Sequence, residues 1–242
     1  LQNNVSYGSL DTAMSVDGSE NVRVIGNELY GSVIGFEITV SNNVWVTHNK
    51  IYGNTLGIGL FHPDGAGNPQ KPVMKNWVIE HNDVRDNNLP NPAVQGTFQS
   101  ALPPGIGILL AGVSEHTIAK NTVVGNGFVG IAVLGWCTAN AGGPNNCEAK
   151  PPVIGGVLYD PAANDNLVSH NKLSGNGTSP PPGAPFPPAD LLYAQLEPGA
   201  GGNCFEKNKP AGFTYFSTEP PFPYGLPPFG TGPLPTDGCR KP

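Results

Sequence analysis

The residues of this sequence that are best suited to proton transfer recur in one local frame. His48 and His81 each stand directly before an asparagine, Asn49 and Asn82, and Arg85 follows the second asparagine by three residues. Imidazole titrates near neutral pH, so two neighbouring histidines can share a proton or a ligand, and a guanidinium beside them can hold a carboxylate. We therefore predict His48, His81 and Arg85 as catalytic candidates. The alternative is that they are the polar residues that turns commonly carry.

A second set of acid and base candidates comes from other parts of the sequence. Asp17 and Glu37 lie in neighbouring repeats, and His62 begins a longer segment that also contains Lys75. Two carboxylates at a suitable separation can hydrolyse a glycosidic bond, and a histidine beside a cation can remove the proton next to a uronate carboxylate. We predict Asp17, Glu37 and His62 as catalytic candidates and Lys75 as a substrate-binding residue. The alternative is that both carboxylates are solvated strand positions.

Tyrosines form a third group with a regular spacing. Tyr7, Tyr30 and Tyr52 each follow an asparagine of the same frame by three residues. If the repeats stack, the three rings form an amphipathic strip on which sugar rings can lie while the hydroxyls form hydrogen bonds. We predict Tyr7, Tyr30 and Tyr52 as substrate-binding residues. The alternative is an aromatic ladder that stabilises the surface through cross-strand pairing.

The frame that positions these side chains is a repeat built around asparagine. Each of the best copies has an apolar residue three positions before the asparagine, another two positions after it, and a second asparagine five positions after it. Repetition with a period of about twenty residues indicates a solenoid, in which each repeat buries its apolar face against its neighbours. Strands stacked about 4.8 Å apart bring identical amides into hydrogen-bonding register. The repeated asparagines are Asn4, Asn27, Asn49, Asn82, Asn121, Asn171 and Asn208.

Between the asparagines lies a second recurring strand, which begins with Gly-Ile in the best copies. Its period-two alternation predicts that alternate residues point into the solenoid, and we expect two short strands in each coil. The predicted inward residues are Met14, Val16, Phe36, Ile38, Ile58, Leu60, Ile108, Leu110, Ile131 and Val133. Insertions fall at two corners: 62–76 and 136–165 follow the Gly-Ile strand, and 88–104 and 177–188 follow the second asparagine. Insertions of this kind often mark a binding side.

The composition argues against several function classes. Only 12% of the residues are charged, the net charge is −6, and the sequence has no Lys/Arg cluster of the kind that binds nucleic acid or anionic lipid. Gly (33) and Pro (27) are abundant, which together with the period indicates a repeat with Pro-rich loops. Every apolar stretch is far shorter than the roughly 20 residues of a membrane span. We therefore expect no nucleic-acid partner, no membrane span, no cofactor and no metal site.

Four cysteines predict two local disulfides. Cys137 and Cys147 lie within one insertion, and Cys204 and Cys239 bracket the C-terminal segment. An even number at these spacings is typical of an oxidising compartment, so we predict a secreted, extracellular or periplasmic protein. The alternative is four free thiols in a cytosolic protein. We predict that residues 209–242 form a Pro-rich cap held by the second disulfide, with recognition of the proline segments by an aromatic groove as the alternative.

The chain opens directly on a repeat around Asn4, and no segment of the sequence is suited to cover the first coil. A solenoid needs a cap at each end, so we expect further coils before Leu1 or a second copy of the protein against this coil. One expected partner is therefore a second copy of the protein, in an oligomer formed through the first coil.

The copies that read Asn-x-[Val/Ile/Leu]-x-[Gly/Asp]-Asn, with Gly-Ile strands after them, resemble the right-handed parallel β-helix proteins of the pectin-lyase-like superfamily. Further segments are similar to a group of bacterial secreted β-helix proteins without a well-defined activity; these are Gly107-Ile-Leu-Leu, Gly127-Phe-Val-Gly-Ile-Ala-Val133, Asn176-Gly-Thr, Ala189-Asp-Leu-Leu192 and Gly202-Asn-Cys204. The resemblance implies an all-β fold with long loops, in which parallel β-helix coils occupy residues 1–208.

The resemblance implies no single activity, because the superfamily contains pectate lyases, polygalacturonases, alginate lyases, mannuronan epimerases and non-catalytic adhesins. The sequence carries neither the Asp-Pro-His signature of the epimerases nor the Gly-His-Gly segment of the polygalacturonases. Two hypotheses follow. In the first, a secreted protein binds an extracellular polysaccharide, with or without cleaving or epimerising it as a polysaccharide lyase, epimerase or glycoside hydrolase does. In the second, the chain is a non-catalytic extracellular structural or adhesive module.

Overall fold

The structure, a computed structural model, describes residues 1–62, 74–139, 153–154, 157–158, 160–184, 186–195, 197, 201–209, 215–218, 234 and 236–240. Within these residues the chain forms three parallel sheets whose strands succeed one another along a common axis.

Each complete coil contributes one strand to each sheet. Sheet A contains β3 (Glu20–Ile25), β6 (Asn42–Thr47), β9 (Trp77–Glu80), β12 (Thr117–Ala119), β17 (Leu167–Ser169) and β20 (Cys204–Glu206). Sheet B contains β1 (Val5–Tyr7), β4 (Glu28–Tyr30), β7 (Lys50–Tyr52), β10 (Asp83–Arg85), β13 (Thr122–Val124) and β18 (Lys172–Ser174). Sheet C contains β2 (Thr12–Asp17), β5 (Ile34–Thr39), β8 (Leu56–Phe61), β11 (Ile106–Ala111), β14 (Val129–Leu134), β19 (Ala189–Ala194) and β21 (Tyr215–Thr218).

A few short elements lie outside these sheets. The strands β15 (Val153–Ile154) and β16 (Val157–Leu158) form an antiparallel pair. One α-helical turn, α1, spans Trp136–Ala139, and 3₁₀ turns span Phe98–Ala101 and Asp237–Arg240.

The chain visits the three sheets in a fixed order, which makes the fold a parallel β-helix. One coil runs from sheet C to sheet A and then to sheet B, as in β5, β6 and β7. The predicted all-β solenoid is confirmed, but the expectation of two strands in each coil is wrong. His48 has a positive φ of 58°, and this left-handed residue bends the chain before Asn49, so the asparagine segment is divided between sheets A and B.

The interior of the solenoid is an apolar column to which all three sheets contribute. The residues predicted to point inward belong to this column, with Met14 only partly buried against it. Sheet A adds Val44 and Val46, and sheet B adds Leu29 and Ile51. Burying one such side chain stabilises the fold by about 1.5–3 kcal/mol, so each coil depends on the coils beside it.

A ladder of asparagines, buried from Asn27 to Asn171, connects successive coils, as predicted. At every step from Asn4 to Asn208, Nδ2 and the backbone N–H of one asparagine donate to Oδ1 of the next over 2.8–3.1 Å. The second asparagine of the repeat forms a parallel ladder from Asn54 to Asn176, which ends on Oδ1 of Asp190. These amides satisfy backbone groups that a buried turn would otherwise leave without partners.

The insertions leave the solenoid at two corners, as predicted. Residues 88–104 and 177–188 each connect sheet B to sheet C, and their side chains, including Phe98, pack against the outer face of sheet C. Residues 62–76 and 136–165 each connect sheet C to sheet A, and parts of both lie outside the described residues. The longer connections therefore fall between sheets B and C and between sheets C and A along the chain.

A disulfide between Cys204 and Cys239 joins the C-terminal segment to β20, as predicted. Cys137 is also disulfide-bonded, while its predicted partner Cys147 lies outside the described residues. The strand β21 falls within the segment predicted as a cap, where it extends sheet C by pairing in parallel with β19. The capping role of residues 209–242 stays a prediction. In the part of the chain that the structure describes, no helix has the length and apolar character needed to cross a membrane.

Candidate functional site

The outer face of sheet B carries the predicted tyrosine and histidine groups in parallel columns. In the sheet B strands from β4 to β18 the central side chain is buried and the outer two face solvent, as with Ile51 between Lys50 and Tyr52. The turn residue before each ladder asparagine adds a further column, and we call this surface the sheet B face. The turn column contains His48, His81, Lys120, His170 and Lys207. The residues directly after the ladder asparagines form the middle column, which contains Glu28, Lys50, Asp83, Thr122, Lys172 and Lys209. The residues two positions further on form the tyrosine column, which contains Tyr7, Tyr30, Tyr52 and Arg85.

The tyrosines stack on one another instead of lying side by side. Ring centroids are 4.9 Å apart for Tyr7 and Tyr30 and 5.3 Å apart for Tyr30 and Tyr52, with interplanar angles of 8° and 6°. The guanidinium carbon of Arg85 lies 4.9 Å from the ring centroid of Tyr52 and covers its other face. The faces of Tyr30 and Tyr52 are therefore occupied, and the column presents ring edges and hydroxyls to solvent.

This stacking restricts how a sugar can contact the column. A sugar ring cannot lie flat on Tyr30 or Tyr52, whereas one face of Tyr7 has no ring partner among the described residues and Tyr7 is 65% exposed. The hydroxyl of Tyr52 donates to Oε1 of Glu28 over 2.6 Å, and this hydrogen bond raises the pKa of the Tyr52 phenol. Sugar stacking stays a prediction for Tyr7 alone, and the other two tyrosines offer edges and hydroxyls.

The structure brings His48 and His81 together on adjacent coils. Their ring centroids are 5.3 Å apart and their planes differ by 7°. Nδ1 of His48 lies 2.7 Å from Oγ1 of Thr47. Nδ1 of His81 lies 3.5 Å from the Glu80 carboxylate, which is also 3.9 Å from Nζ of Lys120. Both histidines are exposed, so either ring is accessible to a bound ligand.

Residues of the turn column adopt a backbone conformation that is unfavourable for residues with a side chain. Glycine adopts the left-handed conformation freely, and Gly26 fills this position before Asn27, while Asn3 fills it before Asn4. Other residues there lose roughly 1–2 kcal/mol. The φ values are 58° at His48, 56° at His81, 57° at Lys120, 56° at His170 and 52° at Lys207. Imidazole and ammonium groups held at strained positions on one line motivate a functional hypothesis for this column.

Two of the remaining catalytic candidates belong to sheet C. The register pairs Glu37 with Ser15, so Asp17 and Glu37 are diagonal neighbours and not directly opposed. Oε2 of Glu37 accepts a hydrogen bond from Oγ1 of Thr12 over 2.6 Å, and Asp17 is exposed at the end of β2. These carboxylates therefore lie on a different face of the solenoid from His48 and His81.

His62 and Lys75 lie apart from both groups. His62 directly follows β8, is only 2% exposed, and places its ring centroid 5.6 Å from that of Trp136. Nζ of Lys75 forms a 2.9 Å ion pair with Oε1 of Glu115 beside sheet A. The structure thus distributes the catalytic candidates over three regions and does not combine them in one site.

An apolar cavity that was not predicted from the sequence lies on the outer face of sheet C. The cavity has a volume of about 560 Å³ and is bordered by the insertions 88–104 and 177–188 and by α1. Its lining includes Phe61, Phe98, Leu109, Phe128, Trp136 and Leu192. One signal was present in the sequence, because β11, β14 and β19 are apolar at outward as well as inward positions, as is typical of parallel strands covered on both sides.

Comparison with known proteins identifies the family. A family model described as a right handed beta helix region matches residues 1–147, which is more than half of the chain. No curated protein and no solved structure gives a significant match. The asparagine ladders, the inward apolar columns and the three parallel sheets agree with the family match. The chain therefore belongs to the right-handed β-helix family.

Proposed function

We propose that this β-helix is an extracellular protein that binds a polysaccharide along the sheet B face. The observation that carries the proposal is the pair of exposed columns, tyrosines with Arg85 on one side and histidines with lysines on the other, that run parallel along the solenoid axis. Neighbouring strands are about 4.8 Å apart, so a linear polymer lying along the axis meets one residue of each column at each coil. A repeating ligand on a repeating surface accumulates weak contacts into useful affinity.

The chemistry of the columns suits sugars. Tyrosine hydroxyls and neutral imidazoles both donate and accept hydrogen bonds, as sugar hydroxyls do. Among the described residues the Tyr30 hydroxyl has no protein partner, and the open face of Tyr7 provides an apolar platform for one sugar ring. Arg85 is held in place by Tyr52 and by Asp83, whose Oδ2 lies 3.1 Å from Nε. A polymer on this face would therefore meet a mostly preorganised surface.

The extracellular location in this proposal is supported by the Cys204–Cys239 disulfide. Disulfides form and persist in oxidising environments, such as the extracellular space and the bacterial periplasm. Extracellular polysaccharides are found in the same environments, so the location and the proposed ligand agree.

Binding without turnover fits the geometry better than catalysis does. Glycoside hydrolysis requires two carboxyl groups that flank one bond, whereas Asp17 and Glu37 lie on sheet C, away from the sheet B face. One arrangement favours a catalytic alternative, namely cleavage or epimerisation of a uronate polymer. His48 and His81 are stacked, and Glu80 lies beside His81, so a histidine is in position to remove a proton from a ligand on this face.

The binding proposal is tested by titrating neutral and acidic polysaccharides in a calorimeter. Tyr7→Ala removes the available ring face, and Tyr30→Phe removes a hydroxyl while it retains the ring stack. We expect the Kd to rise about tenfold for the first variant and about threefold for the second. Trp45→Ala, on the outer side of sheet A beneath Arg23, is the matched control and should bind as the wild type does. Equal Kd values for all four proteins would exclude the sheet B face as the binding surface.

The catalytic alternative has its own test. Incubation with uronate polymers is followed by the absorbance of unsaturated chain ends and by the release of reducing sugar. If the histidine pair is catalytic, His81→Ala abolishes product formation and leaves the melting temperature unchanged. A polymer that binds to the sheet B face but yields no product would rule out turnover at this site.

A further inference from the structure

The middle column of the sheet B face changes its charge pattern along the solenoid. In the early coils each charged residue is next to one of opposite sign, because Lys50 pairs in register with both Glu28 and Asp83. At the other end Lys172 and Lys209 are exposed and form a direct parallel bridge. Like charges on directly opposed strand positions repel each other, so this end of the column loses stability unless a counter-charge is supplied.

The turn column adds cations at the same end of the face. Lys120, His170 and Lys207 are exposed in successive coils. The carboxylates near them are Glu80, 3.9 Å from Nζ of Lys120, and Glu206, 3.5 Å from Nζ of Lys207. Within the described residues Lys172 and Lys209 form no ion pair. We call this surface the lysine patch, and it consists of Lys120, His170, Lys172, Lys207 and Lys209.

We propose that the lysine patch binds the acidic groups of an anionic polysaccharide. The inference rests on the proposed function, because the patch continues the columns of the sheet B face and specifies the class of polymer that lies on them. The whole chain has a net charge of −6, so the patch is a local exception on an acidic protein. An anionic chain is therefore attracted to this end of the face and repelled by most of the remaining surface.

The spacing of the patch suits acidic groups carried at intervals on a linear chain. The turn and middle columns are two residues apart in each coil, as in His170 and Lys172, which is at most about 7 Å along an extended strand. Successive coils repeat at about 4.8 Å. A carboxylate or sulfate between the columns can contact an ammonium group from Lys172 or Lys209 and a group from the turn column, and the flexible lysine side chains can adjust to its position.

Two features favour a polysaccharide over a single-stranded nucleic acid. Proteins that bind single strands stack successive bases on exposed aromatic faces. On the sheet B face both faces of Tyr30 and of Tyr52 are covered by neighbouring side chains. In the coils of the lysine patch the tyrosine column continues as Val124 and Ser174, so among the described residues of these coils the sheet B face offers no aromatic ring on which a base could stack.

The inference is tested with Lys172→Gln and Lys209→Gln, made singly and together. The probes are polygalacturonate, its methyl ester, dextran sulfate and a single-stranded oligonucleotide, each titrated at two salt concentrations. We expect the double variant to bind polygalacturonate about tenfold more weakly than the wild type and with a smaller salt dependence. The methyl ester should bind both proteins equally and weakly. Arg23→Gln, exposed on sheet A, makes the same change of charge as either single replacement and should retain the wild-type Kd.

The melting temperature of the double variant separates lost binding from lost folding. It should stay the same or rise, because the replacement removes the repulsion between Lys172 and Lys209. If dextran sulfate binds as tightly as polygalacturonate through the same lysines, the patch accepts acidic sugar polymers in general. If dextran sulfate binds more weakly, the patch prefers carboxylated polymers.

Two outcomes would contradict the inference about the lysine patch, and a third would contradict the proposed function. A methyl ester that binds as tightly as the acid would overturn this inference and leave the proposed function intact. Tighter binding of the oligonucleotide through the same lysines would also overturn it. Failure of every polysaccharide to bind would overturn the proposed function itself.

Discussion

The imidazole of His116 lies flat against the indole of Trp77 in the interior of the solenoid. The ring centroids are 4.2 Å apart, the planes differ by 1°, and both side chains are buried. Nδ1 of His116 accepts the backbone N–H of Trp77 over 3.2 Å, and within the described residues Nε2 has no hydrogen-bond partner. Burial disfavours the charged imidazolium and lowers the pKa of His116 to about 3.

The burial of His116 predicts that acid destabilises the fold. Its pKa is about 3 in the folded protein against an ordinary value of 6.5, so below pH 6.5 the unfolded chain binds more protons than the folded one. The contribution of neutral His116 is complete above that pH. The free energy of unfolding then falls by about 1.4 kcal/mol for each pH unit as the pH decreases toward 3. Denaturant unfolding followed by circular dichroism at a series of pH values measures this slope.

The residues equivalent to His116 in the following coils suggest the control replacement. Asn166 and Asn203 occupy the position of His116 in the next two coils, and Nδ2 of Asn166 donates to Oδ1 of Asn203 over 3.1 Å. His116→Asn places a group that does not titrate where it can continue this ladder toward Trp77. We expect the variant to have a flatter pH dependence between about 6.5 and 4. An unchanged slope would assign the acid sensitivity to other groups.

The central ladder predicts a large loss of stability for Asn121→Ala. Oδ1 of Asn121 accepts both Nδ2 and the backbone N–H of Asn82, and its own Nδ2 donates to Asn171. Removing the amide leaves buried donors without partners, and we expect the free energy of unfolding to fall by about 3–5 kcal/mol. Asn208→Ala, at the partly buried end of the ladder, should lose only about 1 kcal/mol. Similar losses of unfolding free energy in the two variants would contradict the prediction that the cost depends on how deeply the amide is buried.

The packing of neighbouring coils predicts that Gly107→Ala is destabilising. A Cβ at this position would lie 2.5 Å from the carbonyl oxygen of Gly130 and 2.8 Å from Nδ2 of Asn126. Both are buried groups of the next coil that cannot move away freely, so we expect a loss of about 2–4 kcal/mol. Gly53→Ala has open space around the new methyl group and should lose about 1 kcal/mol, because its φ is +63°. The melting temperatures of the two variants measure the difference, and the Gly107→Ala variant, which is destabilised by crowding, should melt at the lower temperature.

The C-terminal disulfide predicts local protection of the last described coil. Cys204 and Cys239 are 35 residues apart, and a cross-link over such a loop stabilises a protein by about 3–4 kcal/mol. Replacing both cysteines by serine should therefore lower the free energy of unfolding by up to this amount. Hydrogen exchange should accelerate first in β20, while β6 near the other end keeps its protection. Uniform acceleration along the solenoid would contradict a local effect.

The lysine patch shows why a site of this kind is difficult to recognise in a sequence. Lys120, Lys172 and Lys209 are far apart along the chain, and no local segment is basic. Parallel stacking places them on neighbouring coils, because each coil returns the chain to the same column whatever the length of the insertion. The sequence shows no local Lys/Arg cluster, whereas the folded surface brings lysines from distant segments together.

The sequence by itself determined the β-helix, because residues at the same position of successive repeats are the residues that contact each other in the fold. The amide of Asn49 must meet that of Asn82 on the next coil, and Ile58 must meet Ile108, so the repeat specifies its own register. Only the tertiary structure decided what the outward positions do, since stacking leaves them unconstrained. It placed Glu37 and His62 away from His48, and it turned the tyrosine rings against one another. Ring faces leave water when they stack, and this burial determined that edges and hydroxyls form the exposed surface.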